Sequence, residues 1–89
     1  MIEQQVEIIN RLGLHARAAT RLVNCASNFE SEIMFSRDDR EINGKSIMGV
    51  LMLAAAQGVT LTVRIDGPDE QDAMRAIVEL IGDRFGEGE

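Results

Sequence analysis

Eight consecutive residues, Val59 to Asp66, alternate apolar and polar without a fault: Val59, Leu61, Val63 and Ile65 against Thr60, Thr62, Arg64 and Asp66. A period of two marks a strand with one buried face and one wet face. The chain must therefore build a sheet that is covered on one side only. Residues 2–9 repeat the pattern, with Ile2, Val6 and Ile8 opposite Glu3, Gln5 and Glu7. Ser31 to Ser36 puts Ile33 and Phe35 on one side. After the polar turn Arg37-Asp38-Asp39-Arg40, residues Arg40 to Asn43 read as a short returning strand.

Three stretches follow the helical period instead. From Ala16 to Ser27 the set Ala19, Leu22, Val23, Ala26 falls at i, i+3, i+4, i+7, opposite Arg17, Thr20, Arg21 and Asn24. Beyond the Asn43-Gly44 break, Ser46 stands as an N-cap before a helical run that ends at Gln57-Gly58, with Gly58 as the residue after the helix. Gly67-Pro68-Asp69-Glu70 reads as a helix start with proline in the first turn. The final helix then buries Ala73, Ile77, Leu80 and Ile81, has Phe85 near its end, and frays over Gly86 to Glu89. The resulting order, β-α-β-β-α-β-α, implies an α+β two-layer sandwich in one domain spanning residues 1–89.

Composition narrows the function. With 89 residues, no Trp, no Tyr and three Phe, the core must be aliphatic. One cysteine builds no disulfide framework, and the first residues lack the basic and apolar regions of a signal peptide. The apolar run Ile47 to Ala56 is too short to span a bilayer. These points predict a soluble cytoplasmic protein without membrane insertion. The net charge of −6 is concentrated in residues 66–89, where eight acids face only Arg75 and Arg84. An acidic chain poor in aromatics argues against nucleic acid as a partner.

Against that acidity, no acid occurs between Asn10 and Asn28, while Arg11, Arg17 and Arg21 surround the single histidine, His15. His15 stands where the first helix begins, at the free N–H groups and partial positive charge that suit an anion such as phosphate. By position alone it reads equally as a surface cap; the local charge tips the reading toward function. There is no second His for a metal site, and Cys25 has no neighbouring base, so no metal and no triad are expected. The imidazole itself remains as a nucleophile. The helix end favours its uncharged form, and the first-turn N–H groups at Ala16 and Arg17, with the Arg17 fork, can hold a phosphoryl product. The dipole contributes ~0.3–1 kcal/mol at an exposed end, rising to ~2 if partly buried.

Gly44-Lys45-Ser46 superficially resembles the end of a P-loop, but Asp39 occupies the position of the required earlier glycine. The phosphoryl group must then arrive from another protein rather than from a bound nucleotide or other cofactor. Ser46 is by default an N-cap worth ~1 kcal/mol, and a phosphoserine is compatible with the same place. Ile47 to Leu53 is apolar on every side. Either the final helix covers Ile47, Met48 and Leu51, or they stand exposed as contacts for partners.

Gly13-Leu14-His15-Ala16-Arg17 and Asn43-Gly44-Lys45-Ser46-Ile47-Met48-Gly49, with the run Leu53-Ala54-Ala55-Ala56-Gln57-Gly58, resemble HPr, the histidine phosphocarrier family of the phosphoenolpyruvate-dependent phosphotransferase system. The resemblance covers essentially the whole chain. It implies an open-faced β-sandwich, a four-stranded antiparallel sheet covered on one face by three helices. It also implies a relay that is not an enzyme, in which His15 accepts a phosphoryl group on Nδ1 from phospho-Enzyme I and passes it to IIA domains. On the same footing Arg17 is the phosphate's partner, and Ser46 matches the site of HPr kinase/phosphorylase. Thr20, Arg21, Ile47, Met48 and Leu51 fall on the docking surface of a monomer.

Two departures from the family pattern stand out. Ala18 replaces a frequent proline, and Asn24 and Ser27 stand where further basic residues are common, which weakens attraction to acidic partners. The alternative reading is a regulatory docking module controlled at Ser46 or His15, in a sugar-uptake or a nitrogen-related branch. A small catalytic domain lacks any clustered acid, base or metal ligands.

Overall fold

In the computed structural model, which describes all 89 residues, the alternating segments form β1 (Ile2–Glu7), β2 (Glu32–Arg37), β3 (Arg40–Asn43) and β4 (Thr60–Asp66). The strands lie in the order β1-β4-β2-β3, and every neighbouring pair is antiparallel. The strand with the cleanest alternation is therefore central. Leu61, Val63 and Ile65 are fully buried, as are Ile33 and Phe35 on β2. The opposite face is wet. There Arg64 reaches Glu3 on the adjacent β1 at 3.3 Å and Glu41 on β3, two strands away, at 2.7 Å. Such exposed pairs contribute ~0–1 kcal/mol each, so burial on the covered face, not the ion pairs, holds the sheet.

Helices α1 (Ala16–Ala26), α2 (Ile47–Met52) and α3 (Glu70–Gly82) cover that face, giving the open-faced architecture and element order expected. The buried residues of α1 are Ala18, Ala19, Leu22 and Ala26. Val23, assigned to the buried stripe by periodicity, is only partly covered, and Ala18 takes its place. On α3 the interior positions are Ala73, Met74, Ile77 and Ile81, while Leu80 is half-buried. Each shift exchanges one edge member of a stripe. Periodicity fixes a helix face to within about a residue, and packing against the sheet decides the rest.

Three local expectations are corrected. Helix α2 does not run to Gln57; it stops at Met52 with Leu53 as its last cap. Its terminal carbonyls, which have no partner within a helix, are taken by distant guanidiniums. Arg40 donates to the Met52 carbonyl at 2.8 Å, and Arg37 donates to those of Leu53 and Ala54 at 2.9 Å each. Ala54 then turns left-handed at φ 49°, and Ala55 packs into the core. Gly58 accordingly follows a loop, not a helix.

At the start of α3, Pro68 precedes the helix instead of opening it, and Asp69 makes no side-chain cap. Its carboxylate accepts instead from the backbone N–H groups of Glu30 and Ser31, at 2.9 and 3.0 Å, and from the Ser31 hydroxyl.

The third correction lies at the C-terminus. After α3, Arg84 and Phe85 both adopt left-handed backbone, at φ 54° and 53°. This conformation costs a non-glycine residue roughly 1–2 kcal/mol. Burial of the whole Phe85 ring offsets most of that cost for the pair, since sealing such a side chain from water is worth about 1.5–3 kcal/mol. The reversal sends Gly86 to Glu89 back toward the start of α1, where the chain is tied down instead of fraying. Arg11 pairs with the Glu89 carboxylate at 2.9 Å, and the Arg21 guanidinium donates to the Phe85 carbonyl.

Candidate functional site

The approach to α1 is fixed by Gly13. Its φ of +68° is left-handed, and a Cβ there would lie 2.6 Å from the Ala55 carbonyl oxygen and 2.9 Å from the Ala56 Cα. Only glycine fits so close to another backbone. The contact lets Leu14 donate to the Ala55 carbonyl at 2.8 Å, so the segment after α2 braces the segment before α1. His15 follows as the N-cap, with extended backbone at φ −75° and ψ 177°. Its carbonyl accepts from the Ala19 N–H at 2.8 Å.

The His15 ring does what a serine or aspartate oxygen does at most helix starts. Its Nδ1 accepts from the Arg17 N–H at 3.3 Å. A backbone amide can only donate, so Nδ1 carries a lone pair, and that lone pair faces the amino end of α1. First-turn N–H groups have no carbonyl partner within the helix, and no acidic residue occurs in that turn. An anion attached to Nδ1 meets unpartnered donors and the positive end of the helix dipole. The His15 side chain is 26% exposed.

The far side of the ring is occupied. His15 Nε2 contacts the Glu87 carboxylate. The second Glu87 oxygen accepts from Asn10 Nδ2 at 2.9 Å, and the same amide donates to the Gly13 carbonyl at 2.8 Å. Asn10, fully buried, thus clamps the His15 loop to the C-terminal tail. Burial works against ionisation of Glu87. The hydrogen bonds from Asn10 and His15, with the attraction of the His15 ring and the Arg17 guanidinium, outweigh it and hold the carboxyl below its ordinary range. Neither Asn10 nor Glu87 is marked by the sequence. Asn10 reads as one more loop residue, and Glu87 as one acid in a glycine-rich end.

The remaining site residues are distributed around this centre. Ala16 and Arg17 are exposed at the helix start. Arg17 and Arg21 line a shallow cleft of about 260 Å³ with Leu12, Gly86, Glu87 and Glu89. Thr20 is exposed, but its hydroxyl donates to the Ala16 carbonyl at 2.8 Å. The Arg21 guanidinium is engaged with the tail, as described. Ser46 caps α2, its Oγ accepting from the Gly49 N–H at 3.2 Å.

Helix α2 packs against α1 and leaves Ile47, Met48 and Met52 exposed, by 38%, 66% and 59%. The final helix does not cover them. Leu51, grouped with this surface from sequence, is half-buried against the core, and Met52 stands outward in its stead. Cys25 is half-buried, and burial pushes its thiol up, away from the reactive thiolate.

Comparison with known proteins agrees with this architecture. The profile of a family described as "PTS HPr component phosphorylation site" matches residues 2–83. The phosphocarrier protein HPr of Cupriavidus necator is 55% identical over 89 residues, covering both chains completely. A crystal structure of HPr from Thermoanaerobacter tengcongensis superposes with a TM-score of 0.95 at 44% identity, covering 98% of each chain. A structure described as an HPr dimer from the same organism has a TM-score of 0.79. The chain described here belongs to the HPr family, the phosphocarriers of the phosphotransferase system.

Proposed function

We propose that this protein takes a phosphoryl group from phospho-Enzyme I onto Nδ1 of His15 and delivers it to IIA domains. The observation that carries the reading is the Nδ1 lone pair held against the amino end of α1 by the Arg17 N–H. In the transfer, that lone pair forms a bond to phosphorus while the donor's P–N bond breaks and its electron pair returns to the donor imidazole. The phosphoryl oxygens then meet the amide N–H groups at Ala16 and Arg17 and the Arg17 guanidinium. Such a step needs positioning and charge stabilisation more than acid–base groups.

Ile47, Met48 and Met52, beside α1, supply an apolar contact for each partner in turn. Methionine suits such a surface because its flexible side chain adapts to differing shapes. We assign the protein to the cytoplasm, acting as a monomer.

The test is incubation with phosphoenolpyruvate and Enzyme I. One acid-labile phosphoryl group should appear on the protein, His15→Ala should take none, and ATP alone should label nothing. A His15→Ala protein that relayed phosphate would end this reading.

A second, regulatory reading draws on Ser46, which caps α2 directly before the exposed Ile47 and Met48. A phosphoryl group placed there by an HPr kinase/phosphorylase puts a double negative charge at the edge of the apolar contact and opposes docking. Ser46→Asp should then slow labelling of His15, and an unchanged rate would refute the coupling.

A further inference from the structure

The tail that folds back on His15 has a consequence for the chemistry of the ring. Resting on the reading of His15 as the phosphoryl acceptor, we propose that Glu87 is a positioning residue for the transfer: its carboxylate holds the Nε2 proton of His15, orients the ring, and balances the positive charge the ring acquires as Nδ1 binds phosphorus.

Two constraints fix the proton. The Arg17 amide can only donate, so Nδ1 has the lone pair. An ionised carboxylate can only accept, so Nε2 has the hydrogen. Both assign the same tautomer, which makes Nδ1 the nucleophile. When Nδ1 forms its bond to phosphorus, the Nε2 proton stays in place and the ring becomes a cation shared between the two nitrogens. When the group leaves, the P–N electron pair returns to Nδ1 and the ring is neutral again. A carboxylate on Nε2 favours the cationic stage from the side opposite to phosphorus, so it assists without obstructing the approach. The Nδ1 bond of 3.3 Å is long and is the one the phosphoryl group must displace; the Nε2 contact is the one that persists.

The architecture around Glu87 supports this role. Its side chain is 10% exposed, and Asn10 Nδ2 holds the second oxygen at 2.9 Å. The tail reaches the ring only through two successive left-handed residues and a buried phenyl ring. The charged groups at the same corner are Arg17 and Arg21 on α1, and Arg11 in the preceding loop. Arg21 is bonded to the Phe85 carbonyl and Arg11 to Glu89; Arg17 attracts Glu87 from a distance, and the hydrogen-bonded partners of Glu87 are Asn10 and the imidazole.

The experiment compares wild type, Glu87→Ala and Glu87→Gln in Enzyme I-dependent phosphorylation, with proton NMR of the imidazole. Wild type should show a His15 Nε2 proton that is shifted downfield and slow to exchange, and Glu87→Ala should lose it. The maximal rate of Glu87→Ala should fall about tenfold, the low end for a lost hydrogen bond to a charged group, with the apparent KM unchanged. The low end applies because the ring is partly open to water. Glu87→Gln, which keeps an acceptor without the charge, should lie between. A wild-type or faster rate in Glu87→Ala, a loss confined to KM, or an unprotected Nε2 proton in wild type would each overturn the role of Glu87. If wild type itself accepts no phosphoryl group, the reading of His15 fails and this inference fails with it.

Discussion

Replacing Gly13 by alanine tests the geometry that carries His15 to the helix start. Three costs follow from the structure. A non-glycine residue at φ +68° loses roughly 1–2 kcal/mol. The added Cβ would sit 2.6 Å from the Ala55 carbonyl oxygen and 2.9 Å from the Ala56 Cα. These are backbone atoms that cannot rotate aside, so the two segments must part, at about 1–3 kcal/mol on the scale of core overpacking. Parting them breaks the Leu14–Ala55 hydrogen bond, worth about 1 kcal/mol.

The sum is roughly 3–6 kcal/mol, a large share of what a small domain has. In urea unfolding followed by circular dichroism, the midpoint should fall by roughly 2 M or more at an m-value of about 1.5 kcal/mol per molar. Gly58→Ala provides the comparison, since Gly58 is also left-handed, at φ +91°, but a Cβ there meets nothing within 4 Å. It should lose only the conformational cost of about 1–2 kcal/mol. Equal losses in the two variants would show that the close approach of residues 13 and 55 does not constrain the loop.

Two further perturbations act on capping and charge, and one on the N-terminus. Ser46→Ala removes the Oγ that accepts from the Gly49 N–H and should cost about 1 kcal/mol, lowering Tm by roughly 4–8 °C at this size. Asp69 is held below its ordinary range by the Ser31 hydroxyl and the Glu30 and Ser31 N–H groups. Its contribution is therefore complete above about pH 4 and is lost as the pH falls toward the folded-state value; Asp69→Asn should flatten that part of the acid unfolding curve. The amino group of Met1 is held above its ordinary range, chiefly by Glu70 and also by Asp66. Its stabilisation is complete below about pH 8 and fades above it, so Nα-acetylation should remove this alkaline loss from a pH series of thermal melts.

How far the chain could be read varies with how local the cause is. The sheet was legible because a period of two in Val59–Asp66 depends on nothing beyond the strand itself, and Leu61, Val63 and Ile65 are indeed the buried set. The placement of His15 and Arg17 at a helix start was legible because it rests on adjacent residues alone. The end of α2 was not. The run Leu53 to Gln57 is favourable to a helix by composition, and what stops it is the pair of guanidiniums arriving from Arg37 and Arg40. The tail was misread for the same reason. Gly-Glu-Gly-Glu is a poor former of local structure, and only the burial of Phe85 and the bonds from Arg11, Arg21 and Asn10 give it a fixed course.

The sequence by itself determined the order of elements, the covered face of the sheet, the histidine at a helix start and the family resemblance, because each is written in spacing or in adjacent residues. Only the tertiary structure decided which atoms surround the imidazole. Residues 10, 15 and 87 meet because the sheet and α3 carry the chain's end back to its beginning, and a hydrogen bond across that distance leaves no periodic trace. The ring nitrogen that faces the helix start is thus set by local chemistry, and the carboxylate behind the ring by the fold.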